Sequence, residues 1–142
     1  MKTILISVAV LATAMLFWFC KQQPKYTPDA FPEKQLRWGS GGGFVGKETK
    51  FTLLENGQVF RDEPNKKITE TEQTKAKRAK ALFKTAAELN LLKLDFQHPG
   101  NIYDFIECQE GEVIKRITWG DSKFPVDPKI KEMFAALQAL AK

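Results

Sequence analysis

Ser40-Gly41-Gly42-Gly43-Phe44-Val45-Gly46 contains four of the nine glycines in the 142-residue chain. Glycine at this density marks backbone with positive φ, or an approach too close for a Cβ. Three readings are open: a phosphate cradle, a protein-contact loop, or a bulged corner between strands. What flanks the stretch decides among them. Upstream, Gln35-Leu36-Arg37-Trp38 alternates apolar and polar residues and reads as a short strand leading into it. Downstream, the runs Lys50–Glu55 and Gln58–Arg61 flank Asn56-Gly57, a strong local signal for a hairpin. A two-residue turn there pairs Glu55 with Gln58 and Leu53 with Phe60. Phe51, Leu53 and Phe60 then share one face, and Leu54 and Val59 the other.

Beyond a polar loop holding Pro64, Thr69-Glu70-Thr71-Glu72 has the Thr-x-x-Glu form of a capping box, which predicts a helix from about Glu70 to Leu89. Ala79, Leu82, Phe83, Ala86 and Leu89 fall on one stripe at helical spacing, with Lys75, Lys77, Lys80 and Lys84 mostly off it. Asn90 suits a left-handed C-cap. Gln97-His98-Pro99-Gly100-Asn101 reads as a turn cluster. Asn101–Cys108 and Val113–Trp119 form a second hairpin around Gln109-Glu110-Gly111. With Gly111 in a bulge, Ile106 faces Ile114 and Asp104 faces Arg116. Tyr103, Phe105, Val113, Ile117 and Trp119 then share the opposite face. Asp127-Pro128 opens a last helix with its own apolar stripe, Ile130, Met133, Phe134, Leu137 and Leu140.

The order of elements is strands, helix, two strands, helix. It predicts an α+β two-layer fold, an antiparallel sheet of four or five strands with two amphipathic helices on one face. Residues 35–142 make this domain, on the order of 100 residues, enough for one modest core.

The N-terminus is of another kind. Lys2 is followed by Thr3–Cys20, which carries no charge, and the pattern is that of an export signal over residues 1–20. Three outcomes compete: cleavage before Cys20 with acylation of its thiol, an uncleaved membrane anchor, and cleavage after Ala14. The first is preferred, although Phe17-Trp18-Phe19 replace the small residues expected before a lipidated cysteine. About 18 apolar residues just reach the lower limit for a membrane span, which keeps the anchor in play. The first two outcomes place the domain in the cell envelope, tethered to a membrane and facing away from the cytoplasm. Residues 21–34, with Pro24, Pro28 and Pro32, read as an extended spacer.

Charge and motifs narrow the chemistry. Removing Lys2 with the leader lowers the formal net charge of +5 to +4, well short of a nucleic-acid-binding composition. The lysines of the first helix read as its solvated face, with contact to an acidic partner or anionic lipid as the alternative. Gly41 to Lys47 satisfies seven positions of a phosphate-binding loop, but Glu48 stands where the metal-holding hydroxyl belongs. A strand, and not a helix, is expected next. Nucleotide binding is therefore set aside. His98, Asp95 and Asp104 are the only metal-ligand types near one another, without ligand spacing, and they read as turn residues. Glu48, Glu55, Glu107, Glu110 and Glu112 read as exposed acids. Cys108 reads as a buried small hydrophobe, and nothing places His98 against it as a base. No catalytic set emerges, and no cofactor or metal is called for. Trp38 and Trp119 read as core, whereas Phe44 is either an interface anchor or tucked inward.

With these elements in place, Ser40 to Gly46 resembles the Ser-Gly-Gly-Phe-x-Gly signature of emfourin-like proteins. The likeness extends over about Leu36–Leu140 through the order of strand, amphipathic helix, aromatic hairpin and C-terminal helix. It departs in an extra glycine, a longer Glu55–Lys67 segment and the leader. The resemblance implies a small α+β domain that inhibits a thermolysin-like metalloprotease, with Ser40, Gly41, Gly42, Gly43, Phe44, Val45 and Gly46 as the partner-binding loop. The function expected is that of a membrane-tethered, non-catalytic binding domain, held through Cys20 or an uncleaved anchor. The alternative is a structural or assembly lipoprotein docking another envelope protein.

Overall fold

Leu36 and Trp38 alternate with Arg37 and Gly39 along the central strand Gln35–Gly42 (β1) of a computed structural model, which describes residues 23–141. β2 (Thr49–Leu53), β3 (Val59–Asp62) and β4 (Thr69–Glu70) follow, then helix α1 (Ala76–Glu88). β5 (Gln97–His98), β6 (Ile102–Glu110), β7 (Val113–Trp119) and helix α2 (Pro128–Gln138) complete the described residues. The fold is α+β, built on one seven-stranded sheet of order β4-β3-β2-β1-β6-β7-β5. Every pairing is antiparallel except β5 with β7.

The sheet exceeds the four or five expected strands because two short segments pair at its edges. Thr69 and Glu70 pair with Arg61 and Phe60, and Thr71 donates its N–H (2.8 Å) and its hydroxyl (3.2 Å) to the Val59 carbonyl. Those bonds occupy the backbone that a capping box would have used. α1 therefore starts at Ala76 rather than near Glu70, and its N-cap, Lys75, makes no side-chain cap bond. At the other edge Gln97-His98 is strand and not turn, because it lies parallel to Thr118-Trp119.

Both hairpin registers differ from expectation. In the first, only Gly57 takes positive φ (93°), while Asn56 keeps an ordinary backbone. The Asn56 side-chain oxygen instead accepts the Gln58 N–H at 2.9 Å. Gly57 N–H bonds to Leu54 O and Leu54 N–H to Gln58 O, which lengthens the loop by one residue into a turn with a glycine bulge. Leu53 therefore pairs with Val59, and Thr52 with Phe60. In the second hairpin Gly111-Glu112 is the two-residue turn, with Gly111 at φ 60° and Glu110 opposite Val113. Ile106 faces Ile117, Asp104 faces Trp119 and Glu107 faces Arg116. An odd shift of register exchanges the faces. The expected aromatic face is split, with Ile117 and Trp119 on one side and Tyr103 and Phe105 on the other.

The resulting core lies between one sheet face and the helices. Leu36, Trp38, Phe51, Leu53, Val59, Ile106, Cys108, Ile117 and Trp119 join Ala79, Leu82, Phe83 and Ala86 of α1 and Ile130, Met133 and Leu137 of α2 in one cluster. Trp38 stacks on Phe51 at 5.5 Å, and Trp119 meets the edge of Phe134 at 5.1 Å. The C-terminus of α1 and the N-terminus of α2 follow their sequence signals. Asn90 takes φ 53°, with Leu91 N–H to Ala86 O and Asn90 N–H to Ala87 O closing a Schellman motif. Asp127 caps α2 by accepting the Lys129 N–H at 2.8 Å, with Pro128 in the first turn.

Among the described residues the opposite sheet face carries no helix, and long polar side chains line much of it. Arg37 donates to Glu107 (2.6 Å), Gln35 (2.6 Å) and Gln109 (2.7 Å) along it. The Pro-rich segment is fastened at the β3 side. Gln58, with 1 % of its surface exposed, accepts the Tyr26 N–H at 2.8 Å and donates to the Tyr26 carbonyl at 3.1 Å. Asn56 donates to the Pro24 carbonyl at 2.7 Å, and Phe31 covers Phe60 at 4.7 Å. From Pro24 onward the expected spacer is thus bound to the domain. No helix among the described residues is long and apolar enough to cross a membrane. The expected export signal and the lipidation site at Cys20 lie outside the described residues.

Candidate functional site

The seven residues of the glycine stretch divide into a part built into the sheet and a part that projects from it. Ser40 lies opposite Asp104 in β6 and donates its hydroxyl to that carboxylate at 2.6 Å. Gly41 lies beneath the Tyr103 ring, whose oxygen would be 2.6 Å from an added Cβ. Gly42 has φ 92°, and a Cβ there would sit 2.2 Å from the Asn101 carbonyl oxygen. That same carbonyl accepts the Gly43 N–H at 2.7 Å. Glycine is thus required where β1 leaves the sheet against the start of β6.

Gly43–Gly46 forms the turn between β1 and β2, closed by Gly46 N–H to Gly43 O at 3.2 Å. Gly43 and Gly46 both have positive φ, 71° and 60°, and flank Phe44 and Val45. Phe44 is exposed to 108 % of its reference area and Val45 to 69 %. Of the two readings left open for Phe44, burial is excluded. Trp38 and Trp119, by contrast, are core as expected.

Two further loops close on the same end of the sheet. Ile102 is paired with Gly42 and is 68 % exposed. The loop after β7 is held by Asp121 N–H to His98 O at 3.1 Å, and its Gly120 is packed against the backbone of Gly100 and Ile102. Phe124 of that loop stacks on His98 at 4.1 Å and remains half exposed, while Phe96 meets the imidazole edge-on at 4.8 Å. Phe44, Val45, Ile102 and Phe124 are thus the apolar residues exposed at this end.

The base of the turn is fixed by charge. Glu48 accepts both nitrogens of Arg116, at 3.2 and 2.5 Å, and the Tyr103 hydroxyl at 3.0 Å. Burial, and then the neighbouring Glu48 carboxylate, raise the Tyr103 hydroxyl above its usual pKa. The arrangement anchors the entry to β2 beneath Tyr103 and Gly41. It also corrects the view of Glu48 as an exposed acid. Glu107 and Glu55 are likewise paired, with Arg37 at 2.6 Å and Lys34 at 3.0 Å.

The residues weighed for chemistry are not brought together. Asp95 pairs with Lys115 at 2.9 Å, Asp104 accepts from Ser40, and His98 contacts two aromatic rings. Among the described residues no group of three or more His, Cys, Asp or Glu side chains could hold a metal ion. His98 is opposite Trp119, which is opposite Asp104, whereas Cys108 lies four positions further along β6. That is about 13 Å at the rise of a strand, beyond hydrogen-bond reach. Burial, and secondly the Glu107 carboxylate, push the Cys108 thiol up to about 12, so it is not a thiolate near neutrality. A recess of about 280 Å³ that Cys108 helps to line lies between α1 and the start of β1, away from the glycine turn.

Ile102, Phe124 and the set formed by Glu48, Tyr103 and Arg116 were not singled out from sequence. Their common signal is pairing between distant segments, visible only once β1 is placed beside β6. No protein-family model matches the chain, and no curated protein sequence matches it.

Proposed function

We propose that the chain is a membrane-tethered, non-catalytic binding domain of the cell envelope that contacts a protein partner through the Gly43–Gly46 turn. The observation that carries this is Phe44, a phenyl ring with full exposure at the apex of a turn whose base is fixed to the sheet. Nothing within the domain shields the ring. Burial against a partner would contribute roughly 2–3 kcal/mol, the scale of an interface anchor. Preorganisation adds to this, because the Asn101 and Glu48 contacts hold the turn's base before binding. The emfourin-like signature makes a thermolysin-like metalloprotease the first partner to test, with the turn occupying its cleft and supplying no chemistry.

The test is inhibition of a panel of thermolysin-like enzymes by the full chain in detergent. Inhibition that Phe44→Ala weakens at least tenfold, with unchanged thermal stability, is the expected result. Absence of inhibition across the panel overturns the inhibitor reading. A pull-down that then returns a non-peptidase envelope protein, lost on Phe44→Ala, supports a docking lipoprotein instead.

A further inference from the structure

The two ends of the sheet serve different neighbours. Pro24 and Tyr26 are held by Asn56 and Gln58 in the loop between β2 and β3. That loop lies at the start of β1, because Leu53 is paired with Leu36. The Phe44 turn lies beyond the other end of β1, eight residues and about 26 Å away. Only residues 21–23 separate Cys20 from Pro24, the first of the described residues to be fastened. So short a link reaches about 14 Å when fully extended, well under the length of the sheet.

The surface beside the link carries several lysines among acids. Lys80 of α1 lines the same recess as Gln23, Lys34 and Glu55. Lys77 and Lys84 are neighbours of Lys80 on the exposed side of the helix. Lys34 and Lys84 are offset by Glu55 and Glu88, whereas Lys77 and Lys80 make no ion pair among the described residues. Ammonium groups so placed suit the phosphates of an anionic bilayer.

We infer that the domain stands on the membrane by this end and presents the Phe44 turn away from it. The partner of the turn is then a protein surface standing off the bilayer, and not lipid. This rests on the reading of residues 1–20 as a membrane tether and of the turn as a contact loop. The exposed ring of Phe44 would otherwise suit insertion at a lipid interface, and the position of the link opposes that.

The test is paramagnetic broadening of amide NMR signals from the isotope-labelled full chain in nanodiscs of phosphatidylcholine and phosphatidylglycerol, some carrying a nitroxide on the headgroup. At least twofold loss of signal at Tyr26, Asn56, Gly57, Lys77 and Lys80, with Phe44–Lys47 and Asn101 unaffected, is the expected result. Broadening of Phe44–Lys47, or equal broadening at both ends, overturns the inference while leaving the tether intact. A chain that does not associate with nanodiscs at all removes the tether itself, and the inference with it.

Discussion

The Arg116 guanidinium lies 3.6 Å from the centre of the Phe105 ring while its nitrogens hold both oxygens of Glu48. Phe105 is wholly buried although it points to the sheet face that has no helix. Arg116 is what covers it, acting as a lid of planar charge where another fold would place a side chain of a second layer. The pair with Glu48 is about one-third exposed on each side, so its charge attraction alone is modest.

Arg116→Ala should therefore lower stability by about 1–2 kcal/mol, combining a partly desolvated cation–π contact with a forked ion pair. Arg116→Lys keeps the charge but loses the flat stacking surface and the fork, and most of the loss should remain. Urea unfolding of the three proteins checks this. Equal stability of Arg116→Lys and the parent would show that only charge matters there.

Gly42 and Gly43 are adjacent, and both have positive φ, yet they should respond differently to alanine. At Gly43 an added Cβ meets nothing, so the cost is the left-handed backbone alone, about 1–2 kcal/mol. At Gly42 the Cβ would also sit 2.2 Å from a backbone oxygen of Asn101, so β1 and β6 must separate locally. Gly42→Ala should cost about 3 kcal/mol or more, combining the left-handed backbone with overpacking against Asn101. Thermal unfolding of both variants measures the gap, and similar midpoints would contradict the assigned contact.

Local signals in the sequence were legible where local chemistry decides the outcome. Asp127-Pro128 and Asn90 each cap a helix through bonds made within a few residues, and both do so as their residue types suggest. The glycine stretch was legible as a corner because its backbone demand is local too. Thr69-Glu70 failed as a helix start because β3, distant by a loop, offered an edge to pair with. The first hairpin's register failed on a single residue of turn length, since an Asn56 side-chain bond replaced a second positive φ, whereas the second moved by three positions because Gly111-Glu112 makes the turn. The base of the candidate site was illegible for a related reason. Glu48 is 55 residues from Tyr103 and 68 from Arg116, and only the pairing of β1 with β6 and of β6 with β7 brings them together.

Cys108 should make stability fall in alkaline solution. Its thiol is raised from the usual 9.0 to about 12, so the folded chain keeps a proton that the unfolded chain releases above pH 9. The contribution is fully present below pH 9 and is lost as pH rises toward 12, at up to roughly 1.4 kcal/mol per pH unit. Cys108→Ala costs about 1–2 kcal/mol at pH 8 through the lost packing. The gap between parent and variant should then narrow as the pH rises. Parallel stability curves for the two proteins would mean that the thiol titrates no differently in the folded chain.

Gln58 should be the most sensitive polar residue of the domain. Its amide acts as a short strand would, taking both the N–H and the carbonyl of Tyr26, and it also accepts from Asn56 and donates to Glu70. Gln58→Ala leaves the Tyr26 amide and the Asn56 amide without that acceptor and opens a void at a site 1 % exposed. A loss of about 2–4 kcal/mol follows from unsatisfied buried groups together with the cavity. Gln58→Glu preserves the shape, but it replaces the donor to Tyr26 and sets a second carboxylate against Glu70, so it should not rescue. Release of the Pro24–Phe31 segment gives a readout separate from global stability. Trypsin should cut after Lys25 much faster in Gln58→Ala than in the parent under conditions where both are folded, because cleavage needs an extended, unfastened backbone. Unchanged cleavage at Lys25 in a destabilised Gln58→Ala would assign the residue to the core alone and deny it the fastening of the N-terminal segment.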